Sequence, residues 1–102
     1  MHEIGYYPQV LEEVNNAIEY YDVQSTGLGE RFYAEVTSST LIIREAPQIW
    51  PKVPNGISRY LLKHFPFGIF YSYTESLVMV VSIGNLNKKP MFWSNRLRET
   101  KI

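Results

Sequence analysis

Residues 57–83 read ISRYLLKHFPFGIFYSYTESLVMVVSI. The stretch is rich in β-branched and aromatic side chains and is interrupted at Pro66-Phe67-Gly68 and again at Glu75-Ser76. Such runs bounded by turn residues predict three consecutive antiparallel strands, over 57–65, 67–74 and 77–83. Leu77-Val78-Met79-Val80-Val81 is apolar at successive positions, which predicts a central strand buried on both faces. In the first strand, Arg59, Leu61 and Lys63 alternate with Tyr60, Leu62 and His64, a pattern that suits a half-exposed strand.

Upstream, the periodicity changes from two to between three and four. Val10, Leu11, Val14, Ala17, Ile18 and Tyr21 predict an amphipathic helix over about 8–23. Pro8 suits its first turn, and Glu12 and Glu13 suit its positive end. Ser25-Thr26-Gly27 breaks the pattern, and Leu28, Phe32, Val36, Thr40 and Ile43 start a second stripe that stops before Pro47. Residues 2–7 form a short predicted strand, and Pro47, Pro51, Pro54 and Gly56 mark a connection around Trp50. Downstream, 85–89 is a polar loop and Pro90 opens a short predicted helix carrying Phe92, Trp93 and Leu97.

Two adjoining amphipathic helices cannot leave their apolar stripes in water, so the hairpin must lie on the sheet. The predicted fold is α+β: an N-terminal helical hairpin packed on an antiparallel β-sheet, with a short C-terminal helix. At 102 residues the chain is expected to form a single domain, 1–102, around one core. It lacks a basic segment followed by an apolar one at the start, and lacks an apolar run long enough to span a bilayer. The expectation is a soluble cytoplasmic protein.

The composition excludes several chemistries. With no Cys there is no disulfide framework, thiolate metal site or Cys nucleophile. His2 and His64 are the only histidines, so no metal site and no cofactor are expected. No Gly-rich phosphate loop, HExxH or GxSxG spacing occurs. His2 reads as an exposed terminal residue. His64, at a strand end, is either a general base near neutral pH or a plain surface residue.

Charge is distributed unevenly. Residues 1–50 hold eight acids and two bases, whereas residues 51–102 hold eight bases and two acids, although the chain sums to zero. A basic half can face an anionic partner, or the two halves can simply attract each other. The bases Arg59, Lys63, Lys88, Lys89, Arg96 and Arg98, together with Tyr60, Tyr71, Tyr73 and Trp93, could grip single-stranded RNA, since cations hold phosphates and aromatic faces stack on bases. The same aromatics also build ordinary cores, and Lys88-Lys89 also suits a solvated loop.

The ordered set Pro8, Tyr20-Tyr21, Gly27-Leu28-Gly29, Arg31-Phe32, Pro47, Arg59-Tyr60-Leu61-Leu62, Phe65-Pro66-Phe67, Ile69, Tyr71, Pro90, Trp93 and Arg96 resembles the RelE/ParE toxin superfamily across nearly the whole chain. The resemblance implies the same helical hairpin on an antiparallel sheet. It implies the toxin of a type II toxin–antitoxin (plasmid stabilisation) system, a cause of bacterial growth inhibition that is held in check by a cognate antitoxin protein. ParE-like members inhibit DNA gyrase; RelE-like members cleave messenger RNA on the ribosome as endoribonucleases; a third possibility is an inactive partner-binding relative. On the nuclease reading the catalytic candidates are Arg59, Lys63, Lys88 and Arg96. Contacts to a target or RNA would come from Arg59, Lys63, Lys88, Lys89, Trp93 and Arg96. Trp93 serves either such a surface or a terminal helix folded back on its own sheet. One segment departs from the common pattern: Asn85, Asn87, Lys88 and Lys89 precede Pro90 where many relatives carry a His and two Arg. Asn cannot shuttle a proton, and Lys lacks the guanidinium fork. This departure and the zero net charge favour the ParE-like reading.

Overall fold

The computed structural model describes residues 1–88 and 92–99. The chain runs β1 (Glu3–Tyr6), α1 (Pro8–Gln24), α2 (Leu28–Glu45), β2 (Lys52–Val53), β3 (Ile57–Leu61), β4 (Phe67–Tyr73), β5 (Leu77–Asn85) and α3 (Ser94–Glu99). The five strands form one sheet in the order β1-β5-β4-β3-β2. The β3-β4-β5 meander is antiparallel, as the turn residues predict. β2 adds an antiparallel edge and β1 a parallel one, Glu3–Tyr6 lying against Leu77–Val80. A parallel neighbour requires a long crossover, which the helical hairpin and the meander together supply.

The hairpin follows from its residue types. Pro8 opens α1, and Val10, Val14 and Ala17 are its buried positions. Gly27 takes a left-handed φ of 88° before α2 begins. Two residues on, Gly29 lets the helices touch: a Cβ there would lie 2.5 Å from the Ile18 carbonyl oxygen. Its N–H donates to Asp22 Oδ1 at 2.8 Å, satisfying one of the open donors at the start of α2. The Gly-Leu-Gly motif is therefore a turn and a helix contact point in three residues.

Both helices pack on one face of the sheet. Phe65 and Phe67, two residues apart across Pro66, point to that face and meet Phe32 at centroid distances of 5.2 and 4.8 Å, while Tyr21 lies 4.8 Å from Phe65. These edge-on rings anchor a core that includes Val36, Ile43, Ile69, Tyr71, Val78, Val80 and Ile83. Tyr71 also donates its hydroxyl to the Pro47 carbonyl at 2.7 Å, closing the connection after α2. Val80 and Ile83 both face the helices although they are three positions apart, an odd step that would put them on opposite faces of a regular strand. A bulge accounts for this, because Tyr71 pairs with Val80 and Phe70 with Ser82, leaving Val81 as the extra residue. Val81 joins Ile57, Phe70 and Trp93 in a second cluster on the opposite face, with Phe92 and Leu97 against it.

Two boundaries and the setting of one residue differ from the sequence reading. β3 stops at Leu61 instead of 65. The helix expected to open at Pro90 is described from Ser94, and Pro90 itself lies outside the described residues. His2, expected to be an exposed terminal residue, is half-buried, with Nδ1 3.2 Å from the Arg44 carbonyl and Nε2 3.1 Å from that of Thr74. The parallel pairing of β1 draws the chain start down between the end of α2 and the β4–β5 turn. Among the described residues no helix is long and apolar enough to cross a membrane.

Candidate functional site

The basic residues singled out from sequence fall into three places. Arg59 pairs across the sheet with Phe70, so its side chain is on the face opposite the helices, beside the Trp93 cluster. Lys63 lies beyond the end of β3, where alternation no longer applies, and lines a cleft against α2. Lys88 and Arg96 come together at the far end of β5. Arg59 and Lys63, four residues apart, would share a face had the strand continued. The structure instead places them on opposite sides of the sheet. Lys89, like the side chain of Arg98, lies outside what is described.

The site at the end of β5 is a cleft of about 400 Å³ between α1 and the C-terminal segment, lined in part by Glu12, Glu13, Tyr20, Asn85, Lys88 and Arg96. Its organising feature is an unpaired stretch of backbone. β1 follows β5 only as far as Val80, yet β5 continues to Asn85. Two side chains replace the missing strand. Glu13 Oε1 accepts the Ile83 N–H at 3.1 Å, and Arg96 Nη1 donates to the Val81 carbonyl at 3.0 Å. The two are joined by Arg96 Nη2 to Glu13 Oε2 at 2.7 Å, and the Ser82 hydroxyl donates to the same carboxylate at 3.0 Å. With side chains only 12% and 15% exposed, this pair is shielded from water. Phe92 approaches β5 closely because residue 84 is Gly; a Cβ there would be 2.4 Å from Cζ of the Phe92 ring. Lys88 Nζ lies 5.0 Å from the centroid of that ring and Arg96 Cζ 5.6 Å from it.

A second cleft, of about 570 Å³, runs between α2 and the turn after β3; Arg31, Glu35, Ser38, Tyr60, Lys63 and His64 are among its walls. Glu35 holds the turn. Its carboxylate accepts the Lys63 and His64 backbone N–H groups, and Oε1 lies 3.0 Å from His64 Nδ1. Burial pushes the Glu35 carboxyl up, but the Lys63 N–H, the His64 ring and the His64 N–H outweigh it, and the net shift is below the ordinary value. Sequence reading missed both Glu13 and Glu35 as organisers of these clefts. Their partners lie 69 or more and 28 or more residues away respectively, and nothing local marks either acid.

Trp93 is 1% exposed and packs on Phe70 with centroids 5.4 Å apart. The terminal segment that carries it therefore lies on the protein's own sheet. Arg96 likewise has its guanidinium engaged by Glu13 and Val81. Neither presents its functional group to an outside partner in this arrangement.

A helical hairpin laid on one face of a sheet, with a short C-terminal helix on the other, makes an α+β sandwich. A solved structure described as the chromosomal ParDE TA system from P. aeruginosa superposes with a TM-score of 0.74 at 10% identity, covering 83% of this chain and 96% of that one. The fold expected from the resemblance is the fold observed. No family model matches the sequence, and no curated protein does either.

Proposed function

We propose that this protein is a single-domain toxin of a bacterial type II toxin–antitoxin system, neutralised by a cognate antitoxin protein, and that it acts as a ParE-like inhibitor of DNA gyrase. The likeness in fold to a ParDE-system chain supports the toxin class. The observation that carries the preference for a binding mode is the dispersal of the basic residues. A nuclease must bring its cations to one phosphate. Here Arg59 and Lys63 lie on opposite sides of the sheet, Lys88 sits at the far end of β5, and Arg96 is tied to Glu13. An inhibitor that occupies a gyrase surface through its helical hairpin or terminal segment needs no such convergence. Exposed apolar side chains on the hairpin, among them Leu11, Tyr20, Tyr33 and Leu41, suit that role.

Induction of the chain alone in a bacterial host tests the proposal. Growth arrest with relaxed plasmid and intact messenger RNA is expected, and the purified protein should block supercoiling. Arrest with fragmented message and normal supercoiling would replace it with the RelE-like endoribonuclease. A folded chain that leaves growth untouched would leave only a partner-binding relative. Native purification should carry a small antitoxin with the protein, and its absence would count against the toxin class.

A further inference from the structure

We propose that the cleft between α2 and the turn after β3 is a binding site for a phosphate group, carried as a monoester or free as inorganic phosphate. Arg31, Glu35 and Ser38 are four and three residues apart on α2, so they share one helix face, and Lys63 and His64 close the cleft from the turn. Among the described residues neither the Arg31 guanidinium nor the Lys63 ammonium is ion-paired. Glu35, the acid of the cleft, does not oppose an anion as an exposed carboxylate would. Its side chain is 15% exposed, and both oxygens are taken by the N–H groups of Lys63 and His64 and by the His64 ring. Arg31, Lys63 and Glu35 leave the cleft with one net positive charge before His64 is counted.

The geometry of His64 makes phosphate the better fit among anions. Its ring is 73% exposed, with Nδ1 turned to Glu35. When Nδ1 carries the proton and donates to Glu35, Nε2 is an acceptor, which the P–OH of a monoprotonated phosphate can satisfy. When the ring takes a second proton, Nε2–H donates to the dianion and adds a third cation. Arg31 and Glu35 from α2, Tyr60 from β3 and Lys63 from the turn are the titratable or charged groups that line the same cleft. Ser38, also on the cleft wall, adds a hydroxyl. Glu35 acts here as a positioning residue, fixing the turn that carries Lys63 and His64.

The test follows the His64 ring resonances by NMR while inorganic phosphate, AMP or adenosine is added to the full chain. Saturable shifts with phosphate and AMP, and none with adenosine, are expected. Arg31→Ala and Lys63→Ala should each weaken binding about tenfold, the loss of one charge-assisted contact. Both side chains are exposed, so both variants should fold. Glu35→Gln should weaken phosphate binding while leaving the shifts of the Trp93 cluster unchanged. The proposal is overturned by an absence of saturable shifts, by equal binding of adenosine and AMP, or by unchanged affinity in the Arg31 and Lys63 variants. None of these outcomes depends on toxicity or on gyrase.

Discussion

Arg96 Nη2 lies 2.7 Å from Glu13 Oε2 across 83 residues of chain, and the pair completes the hydrogen bonding of β5 where β1 has ended. It pins the C-terminal helix to both α1 and the sheet. Removing one partner leaves a largely buried charge and an open backbone group, so Arg96→Ala and Glu13→Ala should each cost about 2 to 4 kcal/mol in denaturant unfolding. Glu13→Ala should be the worse, because Ser82 and Ile83 also lose their acceptor. A double-mutant cycle should give a coupling of about 1 to 3 kcal/mol; additive losses would mean the two act separately. Any loss of toxicity in Arg96→Ala should accordingly follow loss of fold.

Glu35 should set the acid limb of stability. Its carboxyl is held below the ordinary value of 4.5 in the folded state, so it binds protons less readily folded than unfolded. The stability it contributes is fully present above that value and is lost as pH falls below it. Glu35→Gln should flatten this limb in urea titrations between neutral pH and pH about 3.

Tyr71 should act at the opposite extreme. Burial pushes its phenol up from 10.0 to about 12, with the Ser58 hydroxyl opposing the shift and Tyr73 adding to it. A phenol harder to ionise in the folded state contributes stability that is intact below pH 10 and lost between 10 and 12. Tyr71→Phe should remove that alkaline dependence and cost about 1 kcal/mol at pH 7, the hydrogen bond to Pro47. An unchanged alkaline limb in the variant would assign the transition to other groups.

Gly29→Ala should destabilise by about 3 kcal/mol, since the added methyl would press on the Ile18 carbonyl and the Asp22 carboxylate. Thermal unfolding measures it. Gly56→Ala offers a contrast, because its φ of 72° is left-handed but nothing lies within 4 Å of the added carbon. The cost there should be near 1 kcal/mol, from backbone strain alone. Similar losses at both sites would show that helix contact at Gly29 is not the limiting feature.

Much of the architecture is legible in the chain because it follows from local geometry. Helical spacing of Val10, Val14, Ala17, Phe32, Val36 and Ile43 names residues that are buried. Gly27, in the break between the two helical stripes, marks the hairpin turn. Backbone geometry repeats every 3.6 or 2 residues and needs no partner to be read. The candidate site is different. Periodicity carries no information on where β3 stops, and that end at Leu61 separates Arg59 from Lys63. Nor does it reveal the bulge at Val81, the parallel seat of β1, or the side chains that stand in for a strand beyond Val80. Those were decided by tertiary structure, because each is a match between groups far apart in sequence: an open N–H or carbonyl in a water-poor place must find a partner, and the folded chain supplies Glu13 and Arg96.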